Sequence, residues 1–403
     1  MHRLRRGDSE RADAEAKVSY FELFFDLVFV FTIIQVTHLV IDTHSVLDVF
    51  KALMVLTVTW WMYGGYAWLA NNIGTDRFLY RMLMFCGMAG FLSMAISIPS
   101  IFGTGGVPFG IAFLLVTVIH ILLFRRSPHV TSIKAITYLA PFNLSAALLV
   151  LASGILNTWY TWSWWLTVAA VLVILTASFK NQGDSFVINT RHFVERHSLI
   201  VLIALGETIL SMGLGSSYLN FRFTLFVSIV LGLSIVIALW WSYFDKDTIL
   251  AEDYMLQASP EKRARLAMQA YWHAHLIMIS GIVISAAGIE VAIKQLNDES
   301  VHSFSWYLNG GIGLYLIGTA IFRRLVRIGP AGTRLGSAAL SLFILMFNAF
   351  SWIGTLQMMT IQILVLAGMI VIEQHKYKKI SNEILRLHSQ AEGGQTNHEG
   401  FDH

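Results

Sequence analysis

Tyr20-Phe-Glu-Leu-Phe-Phe-Asp-Leu-Val-Phe-Val-Phe-Thr-Ile-Ile-Gln35 sets two carboxylates, Glu22 and Asp26, inside an otherwise apolar run. The acids are four residues apart, so a helix stacks them on one face, one turn above the other. In hydrocarbon an ionised carboxylate costs roughly 2.5–3.5 kcal/mol even on permissive insertion scales. The pair therefore has to face protein or water, meet a cation, or carry out a function.

The rest of the chain is apolar to match. Of 403 residues, 56% are hydrophobic and 13% charged, whereas a soluble domain carries about a quarter charged residues. Mean hydropathy is +0.62. Such a chain reads as an all-α polytopic membrane protein. The net charge of +3 is spread over helix ends, which excludes a nucleic-acid partner and leaves the lipid bilayer as the expected surroundings. Cys86 is the single cysteine and cannot form an intrachain disulfide. No cleavable signal peptide is expected, because residues 1–19 are polar and basic and the first apolar segment can itself span a bilayer.

Hydropathy along the chain predicts twelve spans: 20–41, 47–69, 80–101, 107–124, 136–156, 162–180, 196–215, 221–244, 267–293, 306–324, 336–352 and 354–373. A polar, disordered cytoplasmic tail is expected over 374–403. With the N-terminus inside, every Lys and Arg except Lys51, Arg222 and Lys294 falls on an inner segment. That alternation predicts cytoplasmic termini. Trp159, Trp162, Trp164 and Trp165 at an outer turn, and Trp60, Trp61, Trp240 and Trp241 near inner ends, are expected to form interfacial belts.

The chain also echoes itself. Glu22 opens the first span as Glu195 opens the seventh. Trp60-Trp61-Met62-Tyr63 corresponds to Trp240-Trp241-Ser242-Tyr243. Arg81 and Gly87 correspond to His275 and Gly281, and Phe124-Arg125-Arg126 to Phe322-Arg323-Arg324. The offsets grow along the chain, from 173 through 180 and 194 to 198 residues, as longer loops in the second half would produce. This predicts a parallel 6+6 internal repeat, 20–180 and 196–373, joined by a cytoplasmic linker at 181–195. Transporters built this way hold their sites between the halves.

Two acidic stretches carry a family resemblance. Glu22-Leu-Phe-Phe-Asp26-Leu-Val-Phe-Val and Glu195-Arg-His-Ser-Leu-Ile-Val-Leu-Ile-Ala-Leu-Gly206-Glu207-Thr-Ile-Leu resemble the hallmarks of the bacterial low temperature requirement A family. The His275 to Glu290 segment resembles its later helix. The resemblance spans about residues 18–373 and implies a multi-span bacterial inner-membrane protein linked to growth in the cold, without implying a mechanism. Phe25-Asp26 is more distantly similar to the Phe-Ser-Asp motif of lysosomal and bacterial potassium channels, with Phe in place of Ser and no Arg four residues before Phe25.

Glu207 lies twelve residues past Glu195, about 18 Å along a helix, which suggests a mid-bilayer proton or cation site. The structural alternative is a protonated acid hydrogen-bonded to a neighbouring helix. Glu22 and Asp26 lie nearer the cytoplasmic mouth, where they could gate or bind ions, or simply bridge to Arg81, Arg77 or Lys17. By the repeat, Glu195 is expected to meet His275 or His273. No metal-ligand spacing occurs, since His273 and His275 are two residues apart and diverge on a helix. His120, Asn143, Asn348, Gln35 and Gln362 read as polar pathway or packing groups. Phosphate loops, nucleotide fingerprints and nucleophile elbows are absent, so no cofactor is expected and an enzyme is disfavoured. A gradient-driven transporter of an unknown small molecule or ion is the leading expectation. An ion channel lined by the first and seventh helices, and a membrane-embedded enzyme or cold-stress accessory protein, stay open.

Overall fold

The structure is a computed structural model that describes residues 18–43, 45–72, 78–178, 188–217, 219–296, 304–348 and 354–395. Lys17 and Arg77 lie outside them. The first half holds α1 (Tyr20–Ile41), α2 (Val46–Asn72), α3 (Phe78–Ser97), α4 (Gly106–Phe124), α5 (Val130–Leu156) and α6 (Trp162–Ser178). In the second are α7 (Thr190–Ser216), α8 (Phe223–Phe244), α9 (Asp247–Leu256), α10 (Pro260–Leu266), α11 (His275–Lys294), α12 (Phe304–Leu325), α13 (Gly332–Asn348) and α14 (Thr355–Gln395). Over the described residues, every expected span falls on helix, with 179–180 and 349–352 of the sixth and eleventh spans outside them. Among the described residues, nine helices are long and apolar enough to cross a membrane, with α6, α12 and α13 outside that set.

Local chemistry sets the ends that matter. Ser19 caps α1 in a capping box: its hydroxyl accepts from the Glu22 amide, and the Glu22 carboxylate accepts from the Ser19 amide at 2.8 Å. Asn189 caps α7, accepting from the His192 amide. That cap starts α7 six residues before the expected boundary, so His192, expected in the linker 181–195, is helical and Arg196, expected to open the span, lies in its second turn; residues 181–187 of that linker lie outside the described residues. The expected disordered tail is helical to Gln395, consistent with a run of good helix formers (Lys, Glu, Leu, Arg, Gln) and no proline.

Helix packing follows the same order in both halves. In the first, α1 packs on α2 and α3, α3 on α4, α4 on α5, α5 on α6, and α6 back on α2. In the second, α7 packs on α8 and α11, α11 on α12, α12 on α13, α13 on α14, and α14 back on α8. The halves meet where α1 contacts α7 and α11. The α11–α12 contact depends on Gly281 and Gly288, where an added Cβ would lie 2.4 Å from the Tyr315 amide nitrogen and 2.5 Å from that of Leu308. Small residues let membrane helices approach this closely.

A π-helical stretch, Ala267–Ala274, joins α10 to α11. Its wider turn suits five-residue contacts: the Nδ1–H groups of His273 and His275 donate to Met268 O (2.8 Å) and Ala270 O (2.9 Å). Trp60 Nε1 donates to Trp272 O at 3.1 Å, and Trp61 Nε1 to Asn143 Oδ1 at 3.0 Å. Both indoles are buried, so the expected interfacial belt does not hold for them; they tie α2 to its neighbours. Trp240 and Trp241 are exposed, as a belt requires.

Candidate functional site

α1 and α7 run side by side in a constant register of 170 residues. Glu22 meets His192, Asp26 meets Arg196, and Thr37 meets Glu207, each pair with that separation. Two polar layers result, about 16 Å apart from the eleven-residue rise between Asp26 and Thr37. Phe29, Ile33 and Val36 of α1, with Ile200, Val201 and Ala204 of α7, form a fully buried apolar stretch between the layers.

The lower layer is charged and buried. Arg196 Nη2 and Nε donate to Asp26 Oδ1 at 2.9 and 3.3 Å, and Tyr63 Oη of α2 donates to the same oxygen at 3.2 Å. The guanidinium packs over the rings of Phe25 and Tyr63, 5.6 and 5.8 Å from their centroids. His192 Nε2 lies 3.0 Å from Glu22 Oε1, and Arg196 Nη1 lies 3.9 Å from that oxygen. Asn71, near the end of α2, spans Asn189 and His192: its Nδ2 donates to Asn189 O at 3.1 Å and faces His192 Nδ1 at 3.3 Å. Asn189 N donates back to Asn71 Oδ1 at 2.8 Å.

This layer is unbalanced. Among the described residues, two carboxylates face one permanent cation, and both Asp26 Oδ2 and Arg196 Nη1 are buried without a hydrogen-bond partner. Buried charges are tolerable when fully paired and hydrogen-bonded, and each missing bond carries a desolvation cost. Glu22 is better served. It accepts from the Ser19 amide and hydroxyl as well as from the imidazole, so part of its role is to start α1.

In the upper layer, Glu207 Oε1 accepts from Ser211 Oγ at 2.8 Å and Oε2 from Thr37 Oγ1 at 3.5 Å. Glu207, Ser211 and Gly215 follow at four-residue steps along one face of α7. Above them, Gly215 packs against Glu290 of α11, a buried acid paired to Lys294 at 2.7 Å. Thr37 is four residues from the end of α1, so Glu207 lies toward that end of the bundle and away from its middle, because α7 begins earlier than expected.

A second ion cluster lies wholly in the second half. Arg323 reaches Asp247 at 3.1 Å and Glu373 at 2.7 Å, and Arg334 reaches the same acids at 2.7 and 3.1 Å. Arg323 also donates to Tyr377, and Arg334 to Ser242 O. Two cations and two anions close a balanced ring across α9, α12, α13 and α14.

The expected partners of the acids need correcting. Glu22 and Asp26 take His192 and Arg196, while Arg81 is exposed on α3. Glu195 is exposed, one residue off the charged face of α7, and accepts from Val18 N at 3.4 Å. His275 is bonded instead to Tyr243 Oη at 2.9 Å, and His273 to Met268 O. His120 is buried beside Tyr66 and Phe124. Asn143 holds Trp61, Gln35 is half-buried on α1, and Gln362 links Ser341 to Asn309. Asn348 ends α13, and its side chain lies outside the described residues. His192, Arg196, Tyr63, Asn71 and Glu290 were not expected. Their signal was present: His192 and Arg196 repeat the four-residue spacing of Glu22 and Asp26 with complementary charge. Among the described residues, no group of three or more His, Cys, Asp or Glu side chains could hold a metal.

The comparisons with known proteins agree with the sequence motifs. The profile of the family described as bacterial low temperature requirement A protein matches residues 17–372. RA0937, an uncharacterized protein of Rhizobium meliloti (strain 1021), is 27% identical over 339 residues, covering 80% of each chain. No solved structure matches. With its apolar helices and a family match over most of its length, this chain is a multi-pass integral membrane protein of the bacterial low temperature requirement A family.

Proposed function

We propose that this protein is a gradient-driven transporter, proton- or cation-coupled, whose pathway follows the α1–α7 seam. One observation carries the reading: opposed charges and hydroxyl–carboxylate pairs recur along two parallel helices in a single register, at the junction of the halves. Parallel-repeat transporters use such a junction for substrate and coupling ion. Twelve spans in a 6+6 repeat, with both termini in the bacterial cytoplasm, complete the proposal. It is supported by the equal packing order of the halves and by the positive-inside distribution of Lys and Arg. The apolar stretch between the polar layers favours alternating access over an open channel. Glu207, buried among hydroxyls, is a coupling residue of the upper layer.

The test is purified protein in liposomes with an internal pH dye, screened across ions and small metabolites. Saturable, proton-linked flux is expected, and Glu207→Gln should abolish it. Unchanged flux in that variant would remove Glu207 from coupling. Unitary currents would instead support the channel, and absence of any flux, with altered lipids on gene deletion, the accessory or enzymatic role.

A further inference from the structure

We infer that His192 is a proton-binding site of the lower layer, and that taking up the proton breaks the link between the end of α2 and the start of α7. This rests on the transporter reading for its purpose, but its chemistry stands on the hydrogen bonds alone. Asn71 is held in one orientation by Asn189: its carbonyl oxygen accepts from the Asn189 amide, and its NH2 donates to the Asn189 carbonyl. A flipped amide would set donor against donor and acceptor against acceptor. The NH2 group therefore faces His192 Nδ1, which must be the unprotonated, accepting nitrogen. The imidazole is neutral, with its proton on Nε2, donated to Glu22. His197, His273 and His275 carry theirs on Nδ1, because each donates from that atom to a backbone carbonyl.

Among the described residues, a neutral His192 leaves Glu22 and Asp26 against Arg196 alone, one negative charge in excess in a buried site. A proton gained at Nδ1 cancels that excess. The imidazolium keeps its Nε2–H on Glu22 but now presents a second N–H to the Asn71 NH2. Two donors cannot share a hydrogen bond, so Asn71 must leave and release Asn189. The surroundings fit this change. Glu22 faces the ring from α1, with Asp26 one turn further along that helix. α2 contributes neutral Asn71, and Arg196 and His197 follow on α7 itself. On α9, Glu252 is engaged by Arg191 at 3.5 Å. Tyr271 and His275, from the π-helical stretch and α11, pack against His197.

The experiment is nitrogen-15 NMR of histidine-labelled full-length protein in lipid nanodiscs, with His192 assigned by its loss in His192→Gln. At neutral pH the signal should report Nε2–H and bare Nδ1, with the doubly protonated form appearing on acidification. Asn71→Asp supplies an acceptor to Nδ1–H. It should raise the imidazolium-to-imidazole ratio at least about tenfold at a given pH. An Nδ1–H tautomer at neutral pH, a ring that stays in one state throughout, or an unmoved ratio in Asn71→Asp would overturn the inference. A ring that titrates as expected in a protein that moves nothing would sustain the inference and remove the transporter reading.

Discussion

The two buried ion clusters are built from the same groups and differ in their charge balance. In the second half, Arg323 and Arg334 each bridge both Asp247 and Glu373, and the four charges cancel. At the α1–α7 seam, two acids share one arginine and a histidine, and one oxygen and one nitrogen are left without partners. The closed ring fixes four helical elements within one half. The open layer joins the two halves, and on the proposal above it changes its charge with a proton at His192. A balanced and saturated cluster has little to gain from binding anything, whereas an unbalanced one responds to a proton. By this criterion the proposed function assigns a structural role to the first and a functional role to the second.

That contrast can be broken most forcefully at the ring. Arg334→Met leaves Asp247 and Glu373 buried against a single cation and should cost about 3–5 kcal/mol. Folded yield and thermal unfolding in detergent would register it, and a loss under 1 kcal/mol would mean that the ring is not a clamp. A double-mutant cycle on Asp26 and Arg196 should give a smaller coupling, about 0.5–3 kcal/mol. The same cycle on Asp26 and Arg81 should give none; a measurable coupling there would restore the pairing expected from sequence. The smallest effect belongs to Ser19→Ala, about 1 kcal/mol from the lost cap of α1. It should leave the ring untouched, and a drop in stability well beyond that value would show that Glu22 depends on Ser19 for more than helix initiation.

Much of the architecture was legible in the sequence because hydropathy and charge asymmetry act over whole segments. The expected spans fall on helix over the described residues, nine helices among them long and apolar enough to cross a membrane, and the acids of α1 stood out from their apolar surroundings. The partners did not, for a definite reason. Arg196 was counted as a positive-inside loop residue, since hydropathy alone starts the seventh span there. The Asn189 cap begins α7 earlier and turns that loop charge into a buried one. Trp60 and Trp240 show the same limit: each opens a Trp-Trp-X-Tyr motif, one indole donating into the π-helical stretch and the other exposed. Whether a boundary tryptophan meets lipid or another helix depends on how the halves dock, which local composition does not encode.

The most direct test compares two isosteric neutralisations in liposomes carrying an internal pH dye, Asp26→Asn at the seam and Asp247→Asn in the ring. If the seam is the functional site, Asp26→Asn folds to near-normal yield and loses proton-linked flux by tenfold or more. Asp247→Asn should lose stability but keep its flux per folded molecule. Wild-type flux in Asp26→Asn, with flux lost only in Asp247→Asn, would contradict the assignment and move the site to the ring.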